Sequence, residues 1–167
     1  MSETIIQVTS LGKRIKGKTI LEDISFEINQ GDCVALIGPN GAGKTVLMSC
    51  ILGDKKPSSG QVLIDGKVGK AKNKIAVLLQ ENTIPNSLKV EELIAFFQSI
   101  SDNPLTNQEV QDLLQFKEDQ YQQFADKLSG GQRRLLAFVL CLIDKPKILF
   151  LDEPTAGMDT STRQRFW

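Results

Sequence analysis

Apolar and polar residues alternate over residues 5–8 and again at Ile24, Phe26 and Ile28, the period of strands with one buried face, which predicts an antiparallel β region at the N-terminus. Residues 33–37 (Cys33, Val34, Ala35, Leu36, Ile37) are a short continuous apolar run, read as a buried strand, and residues 46–52 begin a helix. Residues 75–79 form a further apolar strand, closed by Gln80. The period then becomes helical. Val90, Leu93, Ile94 and Phe97 share one face, Ser101, Asp102, Asn103 and Pro104 break the pattern, and Thr106 with Glu109 makes a capping box ahead of Val110, Leu113 and Leu114. Ser129 is a good N-cap for a helix carrying Leu135, Leu136, Phe138, Val139, Leu142 and Ile143. Residues 147–151 are an apolar strand running into Asp152 and Glu153, with Pro154, Gly157 and Asp159 in a turn-rich segment behind it.

The segment between the strand at 33–37 and the helix at 46–52 carries the most specific chemistry. Gly38, Pro39, Asn40, Gly41, Ala42, Gly43, Lys44 and Thr45 satisfy the pattern Gly-x-x-x-x-Gly-Lys-Ser/Thr at every required position. Chance matches it in about one chain of this length in a few hundred. Glycines let the backbone turn tightly enough for successive N–H groups to converge on phosphate oxygens, and the N-terminus of the following helix adds to that field. Lys44 would reach the β and γ phosphates of a nucleoside triphosphate, and Thr45 would ligate Mg²⁺.

Two further elements bear on the same ligand. Leu128, Ser129, Gly130, Gly131 and Gln132 start a helix with two glycines, which is either an ordinary capped turn or a second anion site. At the carboxyl end of the strand 147–151, Asp152 suits a metal ligand and Glu153 a general base. Two solvated acids capping a strand would look the same in isolation.

Taken in order, these pieces resemble the nucleotide-binding domain of the ATP-binding cassette (ABC) transporter family along nearly the whole chain. The matching motifs are the phosphate loop 38–45, Gln80, the signature 128–132, the acidic strand to Glu153, and the turn Ala156, Gly157, Met158, Asp159. The resemblance implies an α/β fold: a P-loop NTPase core of parallel sheet with flanking helices, an N-terminal antiparallel β region, and a small helical subdomain at about 86–145. It implies a single domain over 1–167. It also implies ATP and Mg²⁺ as ligands, with Gly38 to Val46 around the phosphates, and Thr45, Gln80 and Asp152 around the metal. Glu153 and Gln80 then lie at the hydrolytic centre. Two domains pair head to tail in that family, as homo- or heterodimers, so Ser129, Gly130, Gly131 and Gln132 would face the nucleotide of the partner. Gln80 would relay closure to a transmembrane permease subunit, placing the chain at the cytoplasmic face of the cell membrane.

Composition is compatible with this picture. A chain of 167 residues with 41% hydrophobic content can build one core. Zero net charge gives no sign of a nucleic-acid surface. The lysines at 67, 70, 72 and 74 read as a solvated loop after an Asp65–Gly66 hairpin turn. Cys33, Cys50 and Cys141 sit in apolar contexts without metal-type spacing and are expected to be small buried hydrophobes of a reducing compartment. The longest apolar run, 135–143, is far short of the roughly 20 residues of a membrane span, and no signal-peptide pattern precedes it. A transport path would belong to another chain or segment.

Two departures from the family pattern stand out. The place of the usual adenine-stacking aromatic falls on Ile15, which predicts apolar contact in place of stacking. The chain also contains no histidine, whereas the family carries a switch histidine on a strand that follows the helix after Asp159 and lies between the P-loop strand and the acidic strand. The expectation is a domain incomplete at its C-terminus, lacking a central strand and impaired as it stands. Three functions follow: the ATPase subunit of a transporter, of bacterial exporter type on the segment 88–93 and the short helical insert; a soluble cassette ATPase; or a nucleotide-binding module without turnover.

Overall fold

Three antiparallel pairings organise the first part of the chain. A computed structural model describes residues 3–68, 75–79, 84–85, 87–155, 158, 160 and 163, and these fall into two compact units, Met1–Lys72 and Asn73–Trp167. In the first, β1 (Thr4–Ile15), β2 (Lys18–Asn29), β3 (Ser59–Ile64) and β4 (Lys67–Val68) form a sheet in the order β2-β1-β3-β4. The hairpin turns are two residues each, Lys16–Gly17 and Asp65–Gly66, with all four residues at positive φ, the backbone that matches the twist of the flanking strands.

Register explains where the alternation stops. Ile6 lies opposite Ile28 and Ile64, and Val8 opposite Phe26 and Val62. A bulge between Val8 and Leu11, with Ser10 at φ 44°, then adds one residue. The buried parity shifts accordingly, so Ile6, Val8 and Leu11 are all buried although 8 and 11 are three apart. Helix α1 (Lys44–Ile51) packs along β2 and buries Leu47, Cys50 and Ile51.

Residues 33–37 depart from expectation. They carry no strand hydrogen bonding, and Val34, Leu36 and Ile37 are 60%, 47% and 90% exposed. An apolar run becomes a strand only when a neighbour offers N–H and C=O groups across about 4.8 Å, and among the described residues none does. Cys33 is exposed for the same reason, whereas Cys50 is buried and Cys141 half-buried. Lys67 lies exposed in β4; the lysines at 70, 72 and 74 lie outside the described residues.

The second unit pairs β5 (Ile75–Leu78) with β6 (Ile148–Leu151) in parallel, Ile75 opposite Ile148 through Leu78 opposite Leu151. A parallel pair needs a long crossover, and the chain between the two strands supplies helices α2 (Val90–Ser99), α3 (Asn107–Leu114), α4 (Glu118–Tyr121) and α5 (Gly130–Leu142). The capping box at α3 is formed: Glu109 N donates to Thr106 Oγ1 at 3.2 Å and Thr106 N donates to Glu109 Oε2 at 2.7 Å. The core joins Leu78 to Val90, Leu93, Val110, Leu114, Leu136, Val139 and Ile143. Leu113, expected on the buried face of α3, points outward at 38% exposure. Helix α5 is buried on most of its circumference because it packs against β5, α2 and α3.

Candidate functional site

The phosphate loop belongs to the first unit. Gly41 and Gly43 adopt φ 83° and 92°, a left-handed backbone that side chains with a Cβ avoid. Gly43 is the N-cap of α1, and its place is also crowded: a Cβ there would stand 2.9 Å from Leu21 Cδ2 and 3.3 Å from both Ile20 Cγ2 and the Ile20 carbonyl oxygen. The glycine therefore allows the loop to lie against β2. Ala42 N donates to Pro39 O at 3.2 Å, and Leu47 N closes the first turn of α1 on Gly43 O at 2.8 Å. Residues 38–42 are exposed.

Lys44 is the loop's cation. Its Nζ donates to Gly38 O at 2.8 Å and to Pro39 O at 3.0 Å, so the ammonium reaches back across the loop it follows. Thr45 is exposed at the first turn of α1, and Val46 is half-buried behind it. These residues fit a polyphosphate: glycines in the required conformation, a helix N-terminus, and an ammonium group on the loop. Ile15 ends β1 opposite Lys18 and is half-buried, able to offer apolar area but no aromatic face.

The acidic strand end and the signature belong to the second unit. Asp152 follows β6 directly and is half-buried, its N–H donating to Leu78 O at 2.8 Å. Glu153 is exposed and sits at φ 46°, the left-handed region. Ser129 caps α5 as expected. Its Oγ accepts from Gln132 N at 3.2 Å, and Gln132 Oε1 accepts from Ser129 N at 3.0 Å, so both signature side chains are engaged at the helix start. Gly130 has open space where a Cβ would be, and Gly131 is buried. Gln80, Ala156, Gly157 and Asp159 lie outside the described residues.

Among the described residues no group of three or more His, Cys, Asp or Glu side chains could cage a metal. Mg²⁺ bound with a nucleotide needs no such cage, because phosphate and water oxygens supply much of its shell.

One residue of this neighbourhood escaped sequence reasoning. Arg134 is only 8% exposed, and its guanidinium donates to main-chain carbonyls past the ends of β5 and β6. Burial pulls its pKa downward, opposed by the nearby Asp152 charge. The available signal was a cation three and four residues before Ala137 and Phe138, inside the apolar stripe of α5.

Comparison with known proteins agrees with the motifs. The family described as ABC transporter matches residues 21–156. The spermidine/putrescine import ATP-binding protein PotA of Protochlamydia amoebophila (strain UWE25) is 34% identical over 164 residues, covering 93% of this chain and 44% of that protein. The Nod factor export ATP-binding protein I of Rhizobium johnstonii (strain DSM 114642 / LMG 32736 / 3841) is 32% identical over 178 residues, covering 100% of this chain and 57% of that protein. The chain thus spans about half the length of these curated relatives. A dimeric ATP-binding cassette solved in a post-hydrolysis state with ADP and Pi superposes with a TM-score of 0.78 at 21% identity, over 96% of this chain and 79% of that one, a likeness of fold.

Proposed function

The chain belongs to the ABC transporter family, and from that premise we propose that it is the ATP-binding and hydrolysing subunit of a membrane transporter, working in the export direction. The observation that carries the reading is the phosphate loop, with Gly41 and Gly43 in left-handed conformation and the Lys44 ammonium turned onto its own loop carbonyls. In this reading residues 1–167 act as one nucleotide-binding domain with a helical subdomain at about 86–145. The loop amides and Lys44 take the phosphate oxygens, Val46 backs the loop, and Ile15 contacts adenine.

Thr45, Gln80 and Asp152 would hold Mg²⁺, which offsets charge on the phosphates. Glu153, with Gln80 beside the water, acts as the base that accepts a proton from it. The exposed helix start at Ser129 and Gly130 is the natural contact for the nucleotide of a second such domain, and the dimeric neighbour supports pairing. No helix among the described residues is long and apolar enough to cross a membrane, so the transport path is assigned to a permease partner, with this chain at the cytoplasmic face. Relatives of both directions match, an importer and an exporter; the export assignment rests on the segment 88–93 and the short insert α2–α4.

The test is calorimetric and kinetic. MgATP should bind, and Lys44→Ala should weaken binding by a charge-assisted contact of about 1.5–3 kcal/mol. In the full-length protein, Glu153→Gln should keep binding and lose turnover, because the amide keeps the shape but cannot take a proton. Equal affinity in Lys44→Ala would remove the site assignment, and unchanged turnover in Glu153→Gln would move the base elsewhere.

A further inference from the structure

Arg134 sits two residues after the signature Gln132, and its carbon chain enters the interior of the second unit. An apolar side chain of similar length would fill that space without the penalty of burying a cation. What the guanidinium adds is a fan of donors. Nη1 donates to Leu79 O, Nη2 to Asp152 O at 2.8 Å and Glu153 O at 3.2 Å, and Nε to Pro154 O at 3.1 Å.

These acceptors share a property. The β5–β6 ladder stops at Leu78 and Leu151, and the last bond along it is from Asp152 N to Leu78 O. Beyond that point the carbonyls of residues 79 and 152–154 have left the ladder, and Arg134 takes over from it. Within the same stretch Glu153 adopts φ 46°, a conformation that a residue with a Cβ keeps only where its surroundings impose it. The carbonyls on both sides of the Glu153 peptide units, and its own, are held by one planar group. Planarity matters, because a fork of fixed geometry sets the direction of several carbonyls at once, which a single ammonium point charge cannot do.

We infer that Arg134 is a positioning residue for ATP hydrolysis: its guanidinium holds the backbone of Asp152–Glu153–Pro154 and of Leu79, and so fixes where the Glu153 carboxylate points. The inference rests on the reading of Glu153 as the base. Because α5 starts at Gly130 and its capping box closes at Gln132, the clamp also ties the signature end of the helix to that carboxylate through one turn of rigid backbone.

The experiment uses the full-length protein, with steady-state MgATP turnover and amide hydrogen exchange on Arg134→Met, Arg134→Lys and Glu153→Gln. Arg134→Met should lower kcat about a hundredfold, the order expected when a reacting group is displaced by about 1 Å, while KM for ATP, set in this reading by the phosphate loop, stays within about twofold. Arg134→Lys, which keeps the charge and reaches fewer carbonyls, should recover about tenfold of that loss. The amides of Asp152, Glu153 and Thr155 should exchange faster in Arg134→Met, with α5 itself still protected. Wild-type kcat together with wild-type exchange in Arg134→Met overturns the inference, as does loss of protection throughout α5 in both Arg134 variants, which marks a purely structural residue. If wild-type turnover survives Glu153→Gln, the base assignment falls, and exchange at residues 152–155 still decides: faster exchange upholds the clamp on the strand ends, unchanged exchange overturns it.

Discussion

Gly41 and Gly43 offer a paired test of how the phosphate loop is held. Both have left-handed φ, 83° and 92°, so alanine at either position meets the same conformational penalty of about 1–2 kcal/mol. Each substitution also stiffens the unfolded chain, which returns about 0.4–1 kcal/mol. The two differ in space. A Cβ on Gly41 meets nothing within 4 Å, whereas one on Gly43 stands 2.9 Å from Leu21 Cδ2 and 3.3 Å from the Ile20 carbonyl oxygen. Leu21 is packed at 6% exposure and has little room to move. Gly43→Ala should therefore cost a further 1–3 kcal/mol or so, the order of an overpacked core site.

In urea unfolding with a slope of about 2 kcal/mol/M, the two midpoints should separate by about 0.5–1.5 M, Gly43→Ala being the lower. Adding Leu21→Ala should remove the excess, so the double variant Leu21→Ala/Gly43→Ala is less destabilised than the sum of its parts. Coincident midpoints for the two glycine variants, or strict additivity with Leu21→Ala, would refute the contact between loop and β2.

Two more predictions follow from local chemistry. Glu109 is held below the ordinary carboxylate range, first by the Thr106 N–H and then by the Thr106 hydroxyl. The lowered folded pKa means that the cap of α3 is at full strength above about pH 4.3 and is lost as pH falls through the folded value. The Thr106 and Glu109 amide resonances should titrate in that window and cease to do so in Glu109→Gln; a flat wild-type titration would refute the cap. Among the three cysteines, Cys33 should be alkylated first. Cys33 is exposed, while burial pushes the Cys50 and Cys141 thiols upward in pKa and only the thiolate reacts. Mass spectrometry after brief maleimide labelling should find one modified site, and slow labelling of Cys33 would show that the segment 33–37 is covered in solution.

Local rules made much of this protein legible from its residues. The β1–β2 region, the Asp65–Gly66 turn, the caps at Thr106 and Ser129, and the order of phosphate loop, signature and acidic strand all follow from period, turn chemistry and hydrogen-bonding side chains within a few residues of each other. Such features depend on neighbours in sequence, so a sequence can specify them outright. Other features depend on partners far along the chain, and packing settles them. Residues 33–37 have the composition of a buried strand yet stay exposed, because a ladder requires a second strand and composition cannot supply one. Arg133 and Arg134 are equivalent in a string of letters. The packing of α5 against the strand ends buries the second and turns its charge toward the carbonyls of residues 79 and 152–154, which come together only because β5 pairs with β6 across roughly seventy residues of chain.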